Sequence, residues 1–79
     1  MHRFQLNLTL RRVEGALIRV LGTIEHRGFR PLGLDGETRS ESDRWHLRLA
    51  VEGQREAATL IAQLAKLYDC LAVEVTPCR

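Results

Sequence analysis

Gly15-Ala16-Leu17 opens a helix directly after the connection Arg11-Arg12-Val13-Glu14, and this junction is where the residue types best fit a chemical task. A helix N-terminus presents backbone N–H groups without intrahelical partners and a partial positive charge, so it can hold the carboxylate of a small acid. Gly15 would let such a ligand approach the backbone closely. The same glycine can instead ease the turn into the helix, and spacing alone leaves both readings open. Catalytic constellations are missing. His2, His26 and His46 fall at a terminus, a helix end and an outward strand position, none with a second His, Cys or carboxylate at ligand spacing. Cys70 and Cys78 are too far apart for a CxxC motif. Glu52 and Glu56 are placed to favour a helix N-terminus, which is dipole chemistry before it is acid and base chemistry. No catalytic residue and no metal site is expected.

The elements that must position this junction follow from periodicity. Arg3 to Leu10 alternates strictly, with Phe4, Leu6, Leu8 and Leu10 on one side, and predicts a half-buried strand. Ala16, Leu17, Val20, Leu21 and Ile24 then recur at helical spacing, while Arg19, Thr23, Glu25 and Arg27 fall mainly on the other face. Gly28 ends the helix, after His26 and Arg27 in its last turn. Phe29 to Leu34 predicts a strand that Pro31 confines to a sheet edge or a bulge. Asp35 to Asp43 is polar and aperiodic, and is expected to be an exposed, mobile loop.

Arg44 to Glu52 restores alternation, with Trp45, Leu47, Leu49 and Val51 inward and Arg44, His46, Arg48 and Glu52 outward. A second helix is expected from about Gln54 to Tyr68, with Gly53 as its N-cap, and Leu71, Val73 and Val75 form a last strand that Pro77 stops. The order β-α-β-β-α-β, with one apolar face per strand and one apolar stripe per helix, predicts an α+β ferredoxin-like sandwich. In it, two helices cover one face of a four-stranded antiparallel sheet, with the second strand at an edge. Residues 1–79 form one domain with its core over about 3–76.

A chain of 79 residues buries only a modest share of its surface, so association with a partner is expected. The hydrophobic fraction of 44% and charged fraction of 28% are those of an ordinary globular domain. No apolar run reaches membrane length and no signal peptide is visible, so a cytoplasmic location is the default. The net charge of +2 is spread along the chain, without a basic tract. Arg44, His46 and Arg48 could hold phosphates on an open sheet face, but only four aromatic residues are present, and Phe4, Phe29 and Trp45 are needed for packing. A nucleic-acid module therefore ranks last among the possible functions.

Gly15-Ala16-Leu17, Arg19-Val20-Leu21-Gly22 and Arg27-Gly28-Phe29 resemble the matching stretch of ACT domains, especially those of the small regulatory subunit of acetolactate synthase (acetohydroxyacid synthase). The resemblance runs more loosely over residues 3 to 75, including Gln63-Leu64-Ala65-Lys66-Leu67 and Val73-Glu74-Val75, and is nearest to the short isozyme II type. It implies the same β-α-β-β-α-β fold, associated side by side through sheet edges into a homodimer. It also implies a non-catalytic subunit that activates a large catalytic subunit in branched-chain amino-acid synthesis. Thiamine diphosphate, Mg²⁺ and FAD would belong to that large subunit, and no cofactor to this chain. An alternative is a stand-alone ACT dimer that senses an amino acid.

The effector pocket that the resemblance implies would comprise Arg12, Val13, Glu14, Gly15, Ala16 and Arg30. Valine-binding members commonly carry asparagine at the positions of Arg12 and Arg30. Asparagine both donates and accepts, whereas arginine only donates and repels an ammonium group, although it can pair with a carboxylate or fill the pocket. Glu14 competes with a bound carboxylate. The resemblance carries over the subunit role more fully than the valine pocket.

Overall fold

The computed structural model describes residues 1–38 and 43–77. The elements follow in the order β1 (His2–Arg11), α1 (Ala16–His26), β2 (Phe29–Thr38), β3 (Arg44–Gly53), α2 (Ala57–Leu64) and β4 (Cys70–Pro77). The four strands form one antiparallel sheet in the order β2-β3-β1-β4, so β2 and β4 are its edges. This is the ferredoxin-like sandwich that the periodicity predicts.

Alternation fixes which face is covered. Phe4, Leu6, Leu8 and Leu10 of β1 and Leu47, Leu49 and Val51 of β3 are buried against Ala16, Val20 and Ile24 of α1 and Leu60 and Leu64 of α2. Each large aliphatic side chain taken fully from water contributes about 1.5–3 kcal/mol. Phe4 and Phe29 close one end of this core edge to face, with ring centroids 5.7 Å apart. The opposite sheet face carries the polar set: Arg3, Gln5, Asn7 and Thr9 of β1 beside Arg44, His46 and Arg48 of β3. Gly28 stops α1 as expected, at φ 88°, with its N–H donating to the Glu25 carbonyl at 3.0 Å.

Four expectations change. Asp35 to Thr38 continues β2 instead of opening a loop, because β3 offers partners as far as Trp45, which pairs with Thr38. The rest of that expected loop, 39–42, lies outside the described residues, and so does Cys78. Gly53 is not the N-cap of α2; it ends β3, where it pairs with both His2 and Phe29, and Glu56 takes the cap position. For the same reason Glu52 does not sit at that helix start. It does lie on the open face, but it is buried there, its carboxylate accepting from Arg3 Nε at 2.9 Å with Arg30 at 3.7 Å.

α2 is shorter than its apolar period, since after Leu64 the chain tightens into turns in which Lys66 and Leu67 N–H donate to Gln63 and Leu64. Leu67 still packs on the core, which is why the period continues past the helix. Pro77 is the last residue of β4 and pairs with Phe4.

Ile24 of α1 is fully buried in the core. Ile24→Ala is expected to lower unfolding stability by about 2–5 kcal/mol, measured as a lower urea midpoint with an unchanged slope.

Candidate functional site

The α1 start is built by four successive backbone contacts. Arg11 N–H donates to the Asp69 carbonyl at 2.8 Å, Arg12 N–H to Asp43 at 2.9 Å, Val13 N–H to Arg11 at 2.9 Å and Ala16 N–H to Val13 at 3.2 Å. They fold the connection back on itself so that Gly15 can enter α1 at φ 80°, ψ 1°. That left-handed conformation disfavours any residue with a Cβ.

A side chain from one turn further along the helix occupies this corner. Arg19 donates through Nε to Asp69 Oδ2 at 2.5 Å and through Nη2 to Asp69 Oδ1 at 2.9 Å, a two-pronged contact, and Nη2 also reaches the Glu14 carbonyl at 2.8 Å. The guanidinium lies so close to Gly15 that a Cβ there would stand 2.7 Å from Arg19 Nη1. Gly15 is therefore required by the backbone and by Arg19 together. Asp69 is buried, and the Arg19 guanidinium holds its carboxyl below the usual carboxylate range, against the opposing effect of burial. Arg11 completes the knot, donating through Nε to the Tyr68 carbonyl at 3.1 Å with its guanidinium 4.5 Å from the Tyr68 ring centroid.

The residues expected to form an effector pocket divide between two places. Arg12, Val13, Glu14, Gly15 and Ala16 share the end of the sheet where Arg11 pairs with Arg44. Arg12, Val13 and Glu14 are exposed, while Ala16 points into the core. Arg30 stands in the row Arg3–Glu52–Arg30 at the opposite end, eight strand positions away, or roughly 26 Å at the usual rise. One copy of the chain does not bring the two groups together.

Nothing in the described residues assembles a reaction centre. No group of three His, Cys, Asp or Glu side chains is placed to hold a metal ion. Burial pushes the Cys70 thiol up, away from the thiolate a nucleophile needs. His46 Nδ1 lies 3.4 Å from Thr9 Oγ1 on the open face, and Arg48 is paired with Asp35. Phe4 and Phe29 are buried, Trp45 packs on the core, and Tyr68 lies outside the strands, so the open face lacks the rings that base stacking requires. No helix among the described residues is long and apolar enough to cross a membrane.

The sequence model of the ACT domain family matches residues 12–73, which runs from the α1 corner into β4. The chain belongs to the ACT domain family. It is 31% identical over 75 residues to the acetolactate synthase isozyme 2 small subunit of Escherichia coli K12, covering 95% of this chain and 86% of that relative. Among solved structures, the ACT domain of a Chlorobium tepidum GTP pyrophosphokinase superposes with a TM-score of 0.77 at 13% identity, over 95% of this chain and 97% of that one. A formyltetrahydrofolate deformylase from Burkholderia mallei gives 0.77 at 16% identity, over 98% of this ACT domain and 28% of that chain. These two share the fold.

Periodicity sets Arg19 on a polar helix face and gives Asp69 no role. The available signal is an arginine four residues after the helix-opening glycine, together with an aspartate just before a strand.

Gly15→Ala is expected to cost about 1–2 kcal/mol and to displace Arg19, read by chemical denaturation and by the Arg19 Nε–H resonance. Asp69 also sets a pH dependence. Its folded pKa lies below its unfolded one, so its contribution is complete above about pH 4 and is lost as pH falls through the folded value. Asp69→Asn should lower the urea midpoint at neutral pH and flatten the acid limb of the stability profile.

Proposed function

We propose that this chain is a regulatory small subunit that binds and activates the large, thiamine-diphosphate-dependent subunit of acetolactate synthase. The observation that carries the reading is the 31% identity to an acetolactate synthase small subunit over 75 residues, 95% of the chain. The reaction served is condensation of pyruvate with pyruvate or 2-oxobutyrate in the cytoplasm, with thiamine diphosphate, Mg²⁺ and FAD held by the large subunit. The chain's own side chains suit a contact role. Among the described residues, the buried carboxylates Glu52 and Asp69 are each engaged by an arginine, which leaves neither placed as a general base.

Activation then rests on binding. The subunit must bind the active form of its partner more tightly than the inactive form, and each tenfold preference is worth about 1.4 kcal/mol. An amino-acid effector, if this subunit takes one, would bind at Arg12, Val13, Glu14, Gly15 and Ala16, with Arg30 at the opposite end of the sheet in the same copy. Arg19 already fills part of that corner, so regulation by protein contact is the primary mode.

Titrating the chain into its purified large subunit should raise acetolactate turnover to a plateau at fixed stoichiometry. Unchanged turnover with no complex on sizing would remove the reading.

A further inference from the structure

We infer that the outer side of α2, continued by the helix-side residues of β4, is the surface on which the large catalytic subunit docks, through an apolar segment flanked by acidic residues. This assignment rests on the subunit reading above and adds to it the place of contact.

α2 is unusual for a helix at a surface. Between Ala57 and Leu64 it holds no charged residue, and of its two polar side chains Gln63 is engaged by Arg27 of the neighbouring helix. α1, by contrast, carries Arg19, Glu25 and His26. A helix apolar on every side is normally covered on every side. The sheet covers α2 at Leu60 and Leu64, yet Ala58, Ala62 and Ala65, which follow one another along one side of the helix, are exposed.

The apolar surface does not stop at the helix. α2 packs against β4, where Val73 and Val75 pair with Leu8 and Leu6 and therefore lie on the helix-covered face. Val75 nevertheless remains 38% exposed, and Leu71 of the same strand 37%. A groove of about 400 Å³ joins helix and strand at the start of α2, with Met1, Phe4, Ala57 and Val75 as its apolar walls and Glu56 as the one acid lining it. Such a groove is shaped to take an apolar side chain from a partner.

Charge selects the occupant. Arg55 precedes α2 and Lys66 follows it, both are exposed, and neither has an ion pair among the described residues. The uncharged surface thus has a cation beyond each end. Two copies of this chain meeting here about a two-fold axis would set Arg55 against Lys66 if the helices ran antiparallel, and each cation against itself if they ran parallel. Both arrangements bring like charges together, which is unfavourable at an interface. A different polypeptide, with acidic residues on either side of its apolar segment, satisfies both ends.

Calorimetric titration of the full chain into its purified large subunit, at low and high salt, tests the surface. Ala62→Glu places a good helix former at an exposed position, so the far-UV spectrum and urea midpoint should match the parent's while Kd rises about a hundredfold. Arg55→Glu and Lys66→Glu should each raise Kd about tenfold and flatten its rise with salt. Glu25→Arg on α1 should leave Kd within roughly twofold of the parent's. Binding of Ala62→Glu equal to the parent's would overturn the surface alone, whereas failure of the parent chain to bind would overturn the surface together with the subunit reading. Self-association of the parent chain that Ala62→Glu abolishes would give this face to a second copy and equally overturn the assignment. Should Ala62→Glu lower the urea midpoint, the two charge reversals decide, and an unchanged Kd in both would sink it.

Discussion

Arg19 reaching across to Asp69 is the contact on which the upper end of this domain depends. It joins the first turn of α1 to the connection between α2 and β4, and the same aspartate receives Arg11 from the end of β1 through its backbone carbonyl. Two consecutive elements, β1 and α1, are thereby tied at one corner to a connection fifty residues further along the chain. Burial of Asp69 makes the pairing obligatory, since a carboxylate taken from water without a partner is costly. Gly15 follows from it, because the guanidinium occupies the space that a side chain at this position would need.

This corner changes the meaning of the helix start. In sequence, a glycine opening a helix after a short connection has the look of a carboxylate site. In three dimensions the corner is already furnished with a cation and an anion of its own, and the second half of the expected pocket, Arg30, is at the far end of the sheet. A domain arranged in this way is better suited to presenting fixed surfaces than to closing around a small molecule. The charge distribution agrees: the helix-covered face is apolar throughout, while the open face carries polar and charged side chains.

Much of this was legible in the residues. The alternation of β1 and β3 is strict because each lies between two neighbours with one face covered, and Gly28 marks a chain reversal that only a positive φ permits. The end of β2 was hidden because an edge strand with one partner needs little apolar period, and the extra residue at Leu32 breaks what alternation there is. Gly53 resembled a helix cap but serves the sheet. The apolar period runs past the end of α2 because Leu67 keeps the helical spacing in a tight turn. The Arg19–Asp69 pair, fifty residues apart, leaves no local pattern at all. As for the candidate site, its residues at the helix start are adjacent in sequence and stay together, whereas Arg30 was grouped with them by resemblance alone.

The central claim is that this ACT domain works as a subunit of a larger enzyme. Affinity capture of the tagged chain from its native cells tests it most directly. The account predicts a large thiamine-diphosphate-dependent polypeptide recovered in fixed ratio to the chain and retained after washing. Recovery of the chain alone, or with nucleic acid in place of that polypeptide, would contradict it.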